Sequence, residues 1–266
     1  MTDPKTAARA STAGLPVAAY VDAVRREGDA LAGVAARTPL DAPIPTCPDW
    51  RWCDLLRHLG GVHRWATTYI TTGRAQAMDA REEEALMASW PDDGALIDWF
   101  RAGHATLVQA LETAPPNLAC WTFLPAPTPL VFWARRQAHE SGIHRADVES
   151  ASGPISAFAP AIATDGIDEL LYGFASRPGG KLRADPPRTL RLHATDTGRW
   201  WLVCIGPTGI AVRDGMVGEN GDGTVRGNAS DLFLLLWNRG AADALEVDGD
   251  AALLDLWRRS VRIRWS

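Results

Sequence analysis

Between Thr128 and Ala151 the chain spells a helix that turns ionisable side chains toward a core, and no other segment restricts its fold so tightly. Thr128 is placed to cap this helix, and Pro129 to fill its first position, where a missing N–H costs nothing. Each residue of an α-helix turns about 100°, so positions four apart lie within about 40° of each other. With Glu140 at the centre, one face carries Leu130, Trp133, Gln137, Ile143, His144, Asp147, Val148 and Ala151. The apolar members point this face inward. Gln137, Glu140, His144 and Asp147 then lie on or beside a buried stripe, where an ionised carboxylate needs a cation or a proton. A Glu-x-x-x-His pair aimed at a core suits a metal site inside a helical bundle, and a buried Glu140–His144 hydrogen bond suits the same spacing. His139 lies about 100° from Glu140, beside Arg135, and reads as solvent-facing. It stands five residues from His144 rather than the four of a zincin helix.

Three more segments before residue 150 have helical patterning. The first spans Pro16 to Arg37, with Ala19, Val21, Val24, Leu31 and Val34 as its apolar positions. A proline-rich loop, Pro39 to Pro48, leads to a second helix that starts at Asp49 or Trp50 and runs to Thr72, where Gly73 stops it. The third spans Asp93 to Thr113, capped by Asp92 or Asp93 and ended before Pro115. Four helices of this length predict a four-helix bundle over residues 15–152, preceded by a flexible N-terminus, residues 1–14.

Ser150 to Asp165 is rich in Ala, Ser, Gly and Pro and reads as a linker. Residues 165–266 then mix the two periodicities. A helix from Gly166 to Ser176 precedes alternating runs at Thr189–Ala194, Trp200–Ile205 and Gly209–Arg213, with Gly206-Pro-Thr-Gly209 as a hairpin turn. Thr224–Arg226 and Leu245–Val247 are short strands; Ser230–Asn238 and a segment from Asp250 are helices. The predicted fold class is α+β: a helical bundle followed by a smaller α+β domain.

Composition narrows the function classes. With 46% hydrophobic residues in 266 there is ample material for buried cores. The net charge is −5 with both signs interspersed, so no basic stripe invites nucleic acid. No stretch approaches the ~20 apolar residues of a membrane span, and the N-terminus lacks the apolar run of a signal peptide, which predicts a cytoplasmic protein with no membrane partner. The four cysteines, Cys47, Cys53, Cys120 and Cys204, form no C-x-x-C pair, which argues against thiolate zinc sites and thioredoxin-type chemistry, and a cytoplasmic setting argues against disulfides. The twelve tryptophans imply large buried surfaces or an aromatic-lined pocket.

The second helix offers a further ligand in His58-Leu-Gly-Gly-Val-His63. Its apolar arc includes Leu55, Leu59, Val62, Trp65, Ala66, Tyr69 and Ile70, and the two histidines fall at opposite margins, about 140° apart. One of them can join Glu140 and His144 on an ion, and periodicity does not choose between them.

Cys47-Pro-Asp-Trp50, Leu55-Leu-Arg-His-Leu-Gly-Gly-Val-His63 and His139-Glu-Ser-Gly-Ile-His-Arg-Ala-Asp147 together resemble the mycothiol-dependent maleylpyruvate isomerase family of actinobacteria, within the DinB-like superfamily of metal-binding four-helix bundles. Leu234-Leu-Leu-Trp-Asn-Arg239 and Leu245-Glu-Val-Asp-Gly-Asp250 resemble the family's second domain, related in fold to sterol-carrier proteins. The resemblance implies His58, Glu140 and His144 as metal ligands, with His63 lowered to a pocket residue. Asp49 departs from the family's usual Gly, and Gly142 stands where Ala or Thr is common.

The resemblance also implies an enzyme. Two imidazoles and a carboxylate leave coordination positions open, the layout of a catalytic Zn²⁺ site, although another divalent metal suits the same donors. The cosubstrate would be mycothiol or a similar low-molecular-weight thiol, activated as a thiolate for attack on an electrophilic small molecule. The outcome is either isomerisation or thiol transfer. Arg239 is nominated to bind a carboxylate, Gln137 and His63 to contact substrate, and Asp147 to orient a ligating imidazole. Rival readings are a non-catalytic small-molecule and metal-binding protein, and a hydrolase that uses metal-bound water.

Overall fold

The structure, a computed structural model, describes residues 14–240 and 242–263. The flexible N-terminus expected over residues 1–14 falls outside the described residues, apart from Gly14. The chain divides into two compact units, Leu15–Ser156 and a second beginning at Ala157.

The first unit contains helices α1 (Val17–Ala35), α2 (Trp52–Thr72), α3 (Ala80–Met87), α4 (Asp93–Thr113) and α5 (Pro129–Ser150), and a hairpin of β1 (Pro43–Ile44) and β2 (Cys47–Arg51). The long helices α1, α2, α4 and α5 are the four anticipated. Thr128 Oγ1 accepts from Val131 N–H at 3.2 Å, and Pro129 takes the first position of α5. Gly73 ends α2 at φ +65°, a left-handed conformation that suits a residue without Cβ.

Two local expectations are corrected. The Pro39–Pro48 segment is not a plain loop. It holds β1 and the start of β2, and α2 begins only at Trp52, where the Asp54 carboxylate accepts from the N–H of Arg51. The hairpin is tied down by Trp52 N–H donating to Ala42 O at 3.1 Å and Cys53 N–H to Leu40 O at 2.9 Å. The short helix α3 was not anticipated; a capping box between Asp79 and Glu82 starts it.

Leu31, Ala35, Ile44, Trp52, Leu55, Leu56, Leu59, Leu96, Phe100 and Val148 form one continuous apolar core from α1, the hairpin, α2, α4 and α5. Helix α5 is the most enclosed element, because α1, α2, α4 and β1 all lie against it. From Leu130 to Val148 only Val131 and Arg135 are less than fully buried. His139 is therefore not solvent-facing. It is 1% exposed, with its ring centroid 6.3 Å from that of Tyr20 on α1. An enclosure this complete is compatible with charge only where ions are paired. Arg136 accordingly donates to Glu140, and Arg145 donates to Glu27 of α1 at 2.6 Å and to Glu149.

The second unit contains α6 (Pro160–Asp168), continued by a π-helical turn (Glu169–Ala175), then β3 (Arg188–Ala194), β4 (Arg199–Gly206), β5 (Gly209–Asp214), β6 (Gly223–Gly227), α7 (Ala229–Leu236), β7 (Glu246–Gly249) and α8 (Ala252–Ser260). Its sheet runs β5-β4-β3-β6-β7, with β3 parallel to β6 and the other pairs antiparallel. Leu190, Leu192, Ala194, Trp201, Val203, Ile205 and Val225 share its buried face. The anticipated Gly206–Gly209 turn closes the β4–β5 hairpin. The expected linker is shorter than read, since Pro160 already starts α6. The architecture is the α+β arrangement expected, a helical unit followed by one that contains a sheet. Among the described residues no helix is long and apolar enough to cross a membrane.

Candidate metal centre

Helix α5 supplies two of the three groups that meet here, and α2 the third. Glu140 and His144 are four residues apart on α5, so their side chains stack on one face. His144 Nε2 lies 3.3 Å from Glu140 Oε1, and His58 Nε2 reaches the same oxygen at 3.3 Å. One donor atom from each of the three residues lies within 4.8 Å of the others. Glu140 and His144 are 3% and 5% exposed, and the His58 side chain is 11% exposed.

Two further polar edges of the cluster are occupied. Arg136 Nη2 donates to Glu140 Oε2 at 2.9 Å, leaving Oε1 turned to the two imidazoles. His144 Nδ1 faces Asp147 Oδ2 at 2.9 Å, so Nε2 is the nitrogen directed at Glu140. Asp147 is fully buried and also accepts from Thr46 Oγ1 of the hairpin at 2.7 Å. Trp50, on β2, stacks on His144 at 5.8 Å between ring centroids and 22° between planes, and lies 4.9 Å from the His58 ring.

The electrostatics follow from this enclosure. Burial disfavours the Glu140 carboxylate, but His144, His58 and Arg136 outweigh it and hold its pKa well below the usual carboxylate range. Burial alone would lower the His144 pKa; its hydrogen bonds to Asp147 and Glu140 reverse that and push it up to about 9. Burial lowers His58 despite its bond to Glu140. A fixed anion, a neutral imidazole and a second imidazole oriented by a carboxylate make a donor set that fits a divalent metal ion. The fit rests on Glu140 Oε1, to which both imidazole nitrogens are turned.

The other nominated residues separate. His63 is fully buried but is drawn to a different cluster: its Nε2 lies 3.1 Å from Ser141 Oγ, and its ring packs on Phe100 and His104 of α4. Gln137 is fully buried one turn before Glu140, and among the described residues neither of its amide atoms has a hydrogen-bond partner. Arg239 belongs to the second unit, where Nη1 donates to Trp237 O at 2.9 Å. Arg136, Trp50 and Thr46 were not anticipated. Arg136 stands four residues before Glu140, the spacing of a helical ion pair, and Trp50 closes the Cys47-Pro-Asp-Trp50 motif, so both left a signal in the sequence.

Comparison with known proteins identifies a family and a fold. Residues 21–149 match the family described as the mycothiol maleylpyruvate isomerase N-terminal domain, and residues 161–256 match its C-terminal domain. No curated protein matches the chain. Among solved structures, the chain is similar to the crystal structure of the mycothiol-dependent maleylpyruvate isomerase, with a TM-score of 0.63 and 14% identity over 89% of this chain and 95% of that one. A histidine-to-alanine mutant of the same enzyme gives a TM-score of 0.62 at the same identity and coverage. At this identity the likeness speaks for the fold.

Proposed function

Because the chain belongs to the mycothiol maleylpyruvate isomerase family over both of its units, we propose that His58, Glu140 and His144 hold one divalent metal ion, Zn²⁺ in the first instance, beside which mycothiol is used against an electrophilic small molecule. The family is one of thiol-dependent enzymes, and the coarser assignment, a thiol-dependent isomerase, follows from membership. The metal and the thiolate chemistry are the proposal. The observation that carries it is the convergence of His58 Nε2 and His144 Nε2 on one buried oxygen of Glu140, whose other oxygen is taken by Arg136.

A bound divalent ion would supply the positive charge that keeps a thiol in its thiolate form near neutral pH. The chain's own residues do the rest. Arg136 fixes Glu140 so that one oxygen is presented, and Asp147 fixes the His144 ring so that Nε2 is presented. Trp50 covers the two imidazoles and limits water around them. Gln137, buried with an unsatisfied amide, is the polar group proposed to contact substrate. In isomerisation the thiol sulfur bonds to one carbon of a cis double bond while the π electrons move toward a conjugated carbonyl. Rotation about the resulting single bond and departure of the same sulfur restore the double bond as trans, with no atom gained or lost. In transfer the sulfur stays attached.

The test combines metal analysis, a mycothiol titration and turnover of maleylpyruvate followed by mass spectrometry. One equivalent of metal, lost in both His58→Ala and His144→Ala, together with thiol-dependent turnover, is the expected result. Full metal occupancy in both variants overturns the ligand assignment. Metal without thiol affinity would leave a binding protein, and ester turnover without any thiol would make the chain a hydrolase.

A further inference from the structure

We propose that a groove between α1 and α4 binds a primary amine in its ammonium form, held by N–H bonds to Asp29 and His104. The groove encloses about 530 Å³, a size that suits a small molecule, and neither helix contributes a ligand to the candidate metal centre. His104 lines it from α4 and is only 4% exposed. Neither of its ring nitrogens has a hydrogen-bond partner among the described residues. The Arg25 carbonyl, a polar group that acts on the ring, lies outside hydrogen-bonding geometry. Buried polar atoms left in this state are uncommon in folded chains and call for a partner from outside the chain.

The ring is held in place by its packing. It stacks near Phe100, 5° between planes, and lies over Gly28 of α1, where a Cβ would come within 2.2 Å of its Cε1. Its Nε2 stands 3.8 Å from Oδ1 of Asp29, the residue after Gly28. That is too long for a hydrogen bond, but two acceptors at this separation can share one ammonium nitrogen at ordinary bonding distances. Burial lowers the His104 pKa and keeps the ring neutral near pH 7, so one nitrogen can accept. Charge then selects what enters. Arg25 is taken by Asp22 and Glu112, and Arg101 by Asp98, while the Asp29 side chain, 71% exposed, pairs with no arginine or lysine among the described residues. Two guanidiniums thus stand against four carboxylates around the groove, which favours a cation. Ala32 and Val108, both buried, give it an apolar floor for an aliphatic stem.

The experiment titrates the full-length protein, carrying isotope-labelled histidine, with n-butylammonium and follows the imidazole signals by NMR near neutral pH. Of the six histidines, His104 is identified as the signal missing from His104→Gln. Expected is a saturable shift of that signal with n-butylammonium and none with tetramethylammonium, which has the same charge but no N–H, at equal ionic strength. Asp29→Asn, a change at an exposed side chain, should weaken n-butylammonium binding about fivefold. No saturable shift, an equal response to tetramethylammonium, or undiminished binding in Asp29→Asn overturns the site. Should His104→Gln fail to fold, saturation-transfer spectra of the probe read the same outcomes on the unaltered protein and on Asp29→Asn without any assignment.

Discussion

His144 Nδ1 stands 2.9 Å from Oδ2 of Asp147, one turn further along α5, and this contact leaves Nε2 as the ring nitrogen that faces Glu140. Asp147 is itself held by Thr46 from the hairpin. Orientation at the centre is therefore built partly within one helix and partly from outside it.

Asp147→Asn keeps the size of the side chain but removes the charge that orients the imidazole. Metal affinity should fall by about 10- to 100-fold, as measured by competition with a chromogenic chelator. Thr46→Val should weaken affinity less, because Asp147 survives. Unchanged affinity in Asp147→Asn would mean that the His144 ring is set by something else.

Metal uptake should depend on pH through His144. Without metal its pKa is about 9, so at neutral pH a proton must leave before Nε2 can bind an ion. Affinity should rise about tenfold per pH unit up to about pH 9 and then level, with one proton released per ion on calorimetry in buffers of different ionisation enthalpy. The metal-free fold has the opposite dependence from this group: its contribution is complete below about pH 6.5 and is lost as pH rises through about 9.

His63 and His104 act with the other sign. Burial lowers both, His63 well below its ordinary value of 6.5. Their neutral forms stabilise the fold above about pH 6.5, and that contribution fades as pH falls toward their folded-state values. The loss is larger for His63, whose value is lowered further. Urea midpoints at pH 7.5 and 5.5 measure it, and His63→Gln should flatten the acid side of the profile.

Arg136→Met strips the buried Glu140 carboxylate of its guanidinium. Breaking a buried pair from one side costs about 3–5 kcal/mol, read as a lower urea midpoint of the metal-free protein. Adding Glu140→Gln should recover part of the loss. A double variant as unstable as the single one would show that Arg136 acts chiefly through its other contacts.

Gly60→Ala tests how tightly α4 seats on α2. A Cβ there would come within 2.1 Å of the Trp99 ring. The variant should lose about 1–3 kcal/mol, visible as a lower Tm, unless Trp99 moves.

What the sequence determined by itself was local. Thr128 and Pro129 start α5, Gly73 ends α2, and helical spacing sets Glu140 beside His144, because caps and periodicity act over a few residues of one element. The β4–β5 turn and the order of the four long helices were legible for the same reason. Tertiary structure decided what surrounds each element. His139 is buried because α1 covers the side of α5 that an amphipathic reading leaves to solvent. The choice between His58 and His63, open on periodicity and suggested only by family resemblance, takes spatial form in two separate clusters: His58 turns to Glu140, while His63 turns to Ser141 and the rings of α4. Arg136, Trp50 and Thr46 enter the centre by packing across elements far apart in the chain, or by a burial that no single helix reveals. A helix's own residues fix its faces; its neighbours alone fix which faces meet water.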